Sequence, residues 1–209
     1  MEKLLPFTMN DLAKITNHRS GEIKFGEKML TVPKGVDVIT FLQNSEAKYV
    51  LVGIPEDIGV RANFGRPGAA SAWDTAIKSI ANIQHNRFCK GNQIIVLGQV
   101  NVCEEMKEVE HLDFHDIDDR SKLSQLVEKI DKDVSHIIFN IIKSGKTPII
   151  IGGGHNNSYG NIKGTALAKG KSVNAINFDA HSDFRILEGR HSGNGFSYAY
   201  EEGFLKKYF

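Results

Sequence analysis

The sequence has little of several features, and each shortage excludes a class of protein. Two cysteines, Cys89 and Cys103, among 209 residues are too few for a disulfide scaffold, so a reducing cytoplasm is the expected compartment. The 26 basic and 25 acidic side chains leave a net charge of +1, which offers no field to nucleic acid or an anionic membrane. No apolar run approaches the ~20 residues that cross a bilayer, and the N-terminus lacks the apolar stretch of a signal peptide.

What is present is typical of a globular protein with a substantial core: 41% of the residues are hydrophobic and 24% are charged. Glycine is the one unusual abundance, with 20 residues, many of them between Gly145 and Gly195. Glycines cluster where the backbone bends sharply or approaches a ligand. Three histidines lie in the same segment, so we expect the functional chemistry there.

Apolar runs alternate with helical patterns along the chain. Runs at 49–54, 92–98, 147–151 and 172–178 predict buried strands, and residues 69–82 and 121–143 have the apolar spacing of helices. This alternation predicts an α/β fold, with three α-β-α layers and a mainly parallel sheet. Residues 1–45 fit the rhythm poorly and are predicted to be an N-terminal extension or small hairpin, which leaves residues 46–209 as the main domain.

Two histidine motifs each follow a predicted strand: Gly-Gly-Gly-His ending at His155, and Asp-Ala-His-Ser-Asp at 179–183. Ligands bind beyond the carboxyl ends of parallel strands, so both motifs belong at one sheet edge. In an extended segment Asp179, His181 and Asp183 share one face, where their carboxylates would repel each other without a cation. Carboxylate and imidazole ligands favour manganese ahead of iron, zinc or magnesium. Taken alone, the motif at 179–183 could be a turn with a surface histidine. The additional histidine at the end of the Gly-Gly-Gly-His motif favours a metal site.

A glycine-flanked loop at 189–195 is expected to overhang the same edge. His191 in this loop is a candidate general acid and base, because the ordinary pKa of histidine is near neutrality. The arginines nearby could clamp a substrate carboxylate, although isolated arginines also form surface ion pairs. The candidate substrate-binding residues are Asn156, Arg185, Arg190, Ser192 and Asn194.

Together these motifs resemble the first two signatures of the ureohydrolase (arginase/agmatinase) superfamily. Residues 53–55 and 65–69 are similar to its N-terminal signature, so the resemblance covers about residues 48–200. Within the superfamily, the Asp-Phe-Arg at 183–185, the His-Ser-Gly at 191–193 and the segments 53–59 and 82–88 look most like formimidoylglutamase.

The resemblance implies a manganese hydrolase with two ions that cleaves a C–N bond of a formimidoyl or guanidino group. His155 and Asp183 would hold one ion, His181 the other, and Asp179 would bridge both. A hydroxide between the ions would attack the C=N carbon and donate a hydrogen bond to Asp183, and His191 would carry a proton to the departing nitrogen. Formimidoylglutamate is the favoured small-molecule substrate, arginine and agmatine remain open, and a homo-oligomer is expected at full length.

The sequence departs from this family after His191, where it contains no aspartate. The superfamily's third signature, Ser-x-Asp-x-Asp on a later strand, therefore has no counterpart, and four ligands do not fill two manganese sites. Two late strands of the family also lie between the strands that end at His155 and Asp179, so a gap is expected there. We expect an arginase-like domain that is incomplete at the C-terminus. The alternatives are a shortened non-catalytic paralogue that binds a metal or a partner, and a zinc-dependent amidohydrolase or deacetylase.

Overall fold

The computed structural model describes all 209 residues and confirms the α/β fold. The strands are β1 (Leu4–Pro6), β2 (Tyr49–Ile54), β3 (Ile94–Val100), β4 (Thr147–Gly152), β5 (Val173–Ala175) and β6 (Leu205–Tyr208). The helices are α1 (Met9–Ile15), α2 (Val38–Asn44), α3 (Ile58–Ala62), α4 (Ala72–Ala81), α5 (Cys103–Val109), α6 (Ile117–Lys143), α7 (Asn157–Lys169) and α8 (Gly195–Glu201). None of these helices is long and apolar enough to cross a membrane.

The main sheet has four strands in the order β1-β3-β2-β4. Strand β2 pairs in parallel with both β3 and β4, whereas β1 runs antiparallel to β3, so the sheet is mainly parallel as predicted. Every residue of β2 after Tyr49 is buried. A central parallel strand is covered on both faces, which explains its uninterrupted apolar run.

Alternate residues of the strands face different helices and so create three layers. Val50 and Val52 pack into the core that includes the apolar face of α6, while Leu51 packs with Trp73 of α4 on the opposite face. This alternation follows from the two-residue period of a strand. Helix α7 then packs against α6 through Gly160, where an added Cβ would lie 2.8 Å from Val134 Cγ1.

Residues 1–45 are integrated into these layers. Their strand, β1, hydrogen-bonds to β3 and not to a hairpin partner within the segment. Leu12 and Met29 are buried with Trp73 of α4, and Leu42 is buried in the core on the other face of the sheet. The segment therefore covers both faces of the sheet.

The predicted fourth strand forms, but it does not join the main sheet. Strand β5 pairs in parallel with β6 in a separate two-stranded sheet, in agreement with the expected gap beside β4. The strand is also shorter than predicted, because Ile176 and Phe178 lie beyond its end and are exposed. Beyond their carboxyl ends β4 and β5 nevertheless converge, where His155 Nδ1 lies 3.5 Å from an Asp179 carboxylate oxygen.

Candidate metal centre

A glycine turn directly after β4 carries His155 to the edge of the sheet. Gly152 and Gly153 have φ values of +147° and +39°, a region that favours glycine. A Cβ added at Gly152 would lie 2.5 Å from the carbonyl oxygen of Ile54 in the neighbouring strand. The Gly-Gly-Gly-His motif thus keeps β4 close to β2 while the chain reverses into α7.

The second motif bends instead of continuing as a strand. The backbone N–H of His181 donates a 2.9 Å hydrogen bond to Asp179 Oδ1, and Asp183 has a φ of +46°. The prediction of an extended segment, with Asp179, His181 and Asp183 on one face, is therefore wrong. The bend turns His181 outward, where 83% of its side chain is exposed, and keeps the two aspartates directed toward His155.

Three side chains form a compact group of potential metal ligands. One donor atom from each of His155, Asp179 and Asp183 lies within 4.8 Å of the other two, and His155 Nδ1 contacts an Asp183 carboxylate oxygen directly. The backbone hydrogen bond from His181 lowers the pKa of Asp179, so this carboxylate stays charged. His181 Nδ1 is 3.3 Å from the outer oxygen of Asp179 and lies outside the group.

An imidazole and two carboxylates suit a divalent ion of hard to intermediate character, and manganese is such an ion. The structure thus brings together three of the four predicted ligands around one point. The chemistry of these three side chains fits one manganese ion.

The ligand group opens into a cavity of about 550 Å³, which Arg185 and Ser192 also line. Arg185 Nη1 donates to Asn63 Oδ1 at 2.7 Å, and Asn63 Nδ2 donates to Ser192 Oγ at 3.2 Å. A second guanidinium nitrogen of Arg185 donates to Glu188 Oε1 at 2.6 Å. Two predicted substrate contacts are therefore on the cavity wall. Asn63 was not predicted, and only its place near the N-terminal signature could have indicated it.

His191 does not face this cavity, which corrects its predicted position as an acid and base beside the metal. Only 2% of the residue is exposed. Its Nδ1 accepts a 3.0 Å hydrogen bond from the Gly193 backbone N–H, and its Nε2 is 3.2 Å from Glu188 Oε1. Burial lowers the pKa of His191, which favours the neutral ring, and the hydrogen bond accepted at Nδ1 places the ring proton on Nε2.

Arg190 is likewise buried and not available to a substrate. Its Nε donates to Asp131 Oδ2 at 2.8 Å, and its guanidinium lies 4.8 Å and 4.9 Å from the ring centres of Tyr159 and Tyr198. Burial raises the pKa of Asp131 to about 7, against the opposing effect of the guanidinium charge. Asn194 accepts a 2.7 Å hydrogen bond from Arg190 Nη1, so both predicted substrate contacts instead hold the loop onto α6.

Asn156 is also fully buried, and its partner is a residue that the sequence analysis missed. Its Nδ2 donates to Glu56 Oε1 at 3.1 Å, and the same oxygen accepts from Asn157 Nδ2 and from the Gly154 backbone N–H at 3.0 Å. The other oxygen of Glu56 accepts from the Ile58 backbone N–H at 2.7 Å. Glu56 therefore ties the loop after β2 to the loop that carries the metal-binding histidine. Burial raises the pKa of Glu56.

Comparison with known proteins agrees with these motifs. The profile described as Arginase family matches residues 47–209. Among curated relatives, the formimidoylglutamase of Hahella chejuensis is 29% identical over 202 residues, which is 94% of this chain and 53% of that protein. The formimidoylglutamase of a Geobacillus species is 32% identical over 170 residues, covering 80% of this chain and 46% of the relative. The chain thus spans about half the length of the curated relatives it matches.

Solved structures show the same fold. The crystal structure of formimidoylglutamase from Bacillus subtilis aligns with a TM-score of 0.61 at 18% identity, covering 91% of this chain and 52% of that one. Trypanosoma cruzi formiminoglutamase, solved with Mn²⁺, aligns with a TM-score of 0.58 at 19% identity, covering 89% and 57%. These alignments confirm the predicted three-layer architecture.

Proposed function

Because this chain belongs to the arginase family, we propose that it provides metal ligands and the substrate-facing wall of a manganese-dependent hydrolase. The reaction is cleavage of a C–N bond in a formimidoyl or guanidino group, with formimidoylglutamate as the favoured substrate. The observation that carries the proposal is the group of donor atoms from His155, Asp179 and Asp183 at the carboxyl ends of two strands. The names of the relatives and the Mn²⁺ in a solved neighbour support the substrate and the metal.

Manganese supplies a lowered pKa for water at this site and hence a nucleophile at neutral pH. The protein's own contribution is to hold that water against the substrate carbon. Asp183 would accept a hydrogen bond from that water and orient it toward the substrate carbon, while Asp179 and His155 would hold the ion. A second ion would be held by Asp179 and His181, together with ligands that these residues do not supply.

The cavity wall favours a substrate that carries a carboxylate. The Arg185 side chain is 52% exposed and lines the cavity, and its bonds to Asn63 and Glu188 use two of its five N–H groups, so donors remain for a substrate carboxylate. Formimidoylglutamate and arginine carry a carboxylate for this guanidinium, whereas agmatine does not. Bidentate recognition by arginine would orient the substrate's reactive end toward the metal ligands.

Manganese titration of the 209-residue chain by calorimetry, with electron paramagnetic resonance of the bound ion, tests the metal site. We expect weak binding that His155→Ala and Asp183→Asn abolish, while His111→Ala, at an exposed histidine outside the site, leaves it unchanged. Binding that survives both ligand substitutions would contradict the assignment.

The substrate is tested by adding formimidoylglutamate or agmatine to the manganese-loaded chain. We expect only formimidoylglutamate to change the manganese spectrum, and Arg185→Gln to remove that change. An equal effect of agmatine would contradict recognition of the carboxylate. Release of formamide, ammonia and urea is followed in parallel, and we expect no measurable turnover from four ligands. Robust turnover would overturn the argument that more ligands are needed.

A second candidate function is a metal-binding module without hydrolytic activity. The observation in its favour is that three donor atoms form the compact group, with His181 turned outward. This candidate predicts manganese binding with no spectral response to any amidine substrate, and so the same experiments separate it from the hydrolase.

A further inference from the structure

A second cavity, of about 320 Å³, lies behind the wall of the metal cavity. The first turns of α6 line one side with Arg120, Ser121 and Ser124, and the loop that follows the metal ligands lines the other with Glu188 and His191. The residues of α3 separate the two cavities: Val60 faces the metal cavity and Ala62 faces this one. None of the metal ligands reaches this second cavity.

Arg120 in this cavity is held in place but has no acidic partner. Its guanidinium carbon lies 4.2 Å from the ring centre of Phe64, so the guanidinium stacks on the aromatic face. Its Nε is buried and makes no hydrogen bond, and no carboxylate oxygen lies within 4.0 Å of the guanidinium. Arg190, a buried arginine nearby, differs from Arg120 because it forms an ion pair with Asp131. An arginine that is both oriented and unpaired is suited to bind a carboxylate.

The opposite side of the cavity carries an acidic side chain, Glu188, which is 29% exposed. Its Oε1 is taken by Arg185 and His191, and its Oε2 makes no hydrogen bond within the protein, so this second oxygen is the one available to a ligand. A negatively charged group here, together with three aspartates at the start of α6, disfavours an ion of multiple negative charge such as phosphate. A zwitterion satisfies both sides, with its anionic group on the arginine and its cationic group on the glutamate. The volume lies at the lower end of the range for ligand pockets, ~300–1,000 Å³, which suits a small metabolite.

We propose that this second cavity binds a free α-amino acid, with the carboxylate on Arg120 and the hydroxyls of Ser121 and Ser124, and the ammonium group on Glu188. The site is distinct from the metal cavity and does not depend on the proposed hydrolysis. Its closeness to Arg185, which shares the same glutamate, places an occupant directly behind the wall that faces the metal.

Calorimetric titration of the metal-free 209-residue chain, in buffer with a chelator, tests this site. The probes are glycine, L-alanine and L-glutamate, with propionate and isopropylamine as matched compounds that each carry one of the two charges of alanine. We expect saturable binding of at least one amino acid with one molecule per chain, and no binding of the singly charged compounds. Absence of saturable amino acid binding at millimolar concentrations would overturn the proposal.

Substitutions in and around the cavity locate the binding. Arg120→Gln should weaken it at least tenfold, whereas Lys122→Gln, on the same helix but paired with Asp119 at the surface, should not change it. Ser124→Leu, which fills the cavity from the same side, is expected to abolish binding, and thermal unfolding checks that each variant is folded. Binding that persists in Arg120→Gln but is lost in Arg185→Gln would place the amino acid in the metal cavity and overturn the inference. Propionate that binds as tightly as alanine would do the same, because it would exclude the role of Glu188.

Discussion

Glu56 is the residue whose replacement best tests how the metal-binding loop is held. Its carboxylate accepts four hydrogen bonds in an environment with no solvent exposure, three on one oxygen and one on the other. Glu56→Gln can keep the three bonds on one oxygen with its amide carbonyl, but its NH₂ group then faces the Ile58 N–H, donor against donor. Glu56→Ala removes all four acceptor contacts.

The two substitutions should therefore differ in cost. One unsatisfied buried donor costs ~1–3 kcal/mol, so we expect Glu56→Gln to lower the free energy of unfolding at pH 7 by about 1–3 kcal/mol. Glu56→Ala leaves several buried donors without partners and should cost about 3–5 kcal/mol, comparable to breaking a buried polar network. Glu46→Gln, at an exposed glutamate in the loop before β2, is the matched control and should have little effect.

Urea unfolding between pH 4.5 and pH 8 separates the loss of the hydrogen bond from the effect of the buried charge. Because burial raises the pKa of Glu56 in the folded state, the native protein binds a proton more tightly than the unfolded chain does. The stability that Glu56 contributes by this tighter proton binding is fully present below its pKa in the unfolded chain. It is lost as pH rises through its pKa in the folded protein. The stability advantage of wild type over Glu56→Gln should therefore shrink as pH rises, by at most ~1.4 kcal/mol per unit.

Manganese affinity is a second measurement. As long as the protein remains folded, a general loss of stability does not change this affinity. If Glu56 holds the loop of His155 in place, Glu56→Gln should bind manganese more weakly at a temperature where it remains fully folded. Unchanged affinity, or a cost of Glu56→Ala below about 1 kcal/mol, would refute the role assigned to this residue.

Two further predictions concern the loop that the structure anchors on α6. Arg190→Met should lower the free energy of unfolding by about 3–5 kcal/mol because it leaves Asp131 buried and unpaired, while the double variant with Asp131→Leu should recover most of the loss. Equal stability of the single and double variants in urea would contradict this. Burial lowers the pKa of His191, so its contribution is complete above its unfolded pKa near 6.5 and is lost as pH falls through the folded value. His191→Gln should flatten the stability curve between pH 7.5 and pH 5, and parallel curves would show that the ring does not titrate as inferred.

The sheet and the long helix could be predicted because each carries a local period. Central strands buried on both faces read as continuous apolar runs, and α6 has one apolar stripe that includes Leu123, Val127, Ile130 and Val134. Residues 1–45 have no such period. Their buried residues, among them Leu12 and Met29, lie on short segments and pack into the same cluster as Trp73, and this packing depends on the tertiary structure.

Three of the four predicted metal ligands lie together in the structure, and the backbone conformation explains why His181 does not join them. The spacing of Asp179, His181 and Asp183 gives convergence only in an extended chain. An aspartate can instead bind the backbone N–H two residues later and form a bend, and Asp179 does so. The two aspartates reach His155 by this bend, and His181 is excluded by it.

The buried roles of the loop residues could not be predicted from their spacing. Arg190 and His191 have the chemistry of substrate contacts, and what removes them from the cavity is their partners. Asp131 is 59 residues away in the sequence, on α6. A buried acidic residue on a helix has no signature in one sequence, because most acidic residues on helices are exposed.

The segment after β2 carries none of the metal ligands, yet it supports both loops that form the site. Glu56 holds the loop of His155, and the carbonyl of Gly59 accepts a 2.9 Å hydrogen bond from the Ser192 backbone N–H on the other side. A Cβ at Gly59 would lie 2.2 Å from Asn156 Oδ1, so only glycine lets α3 fit between the two loops. Asn63 at the end of α3 then positions Arg185. The geometry of the metal cavity is therefore set by this short segment as much as by the residues that would bind the ion.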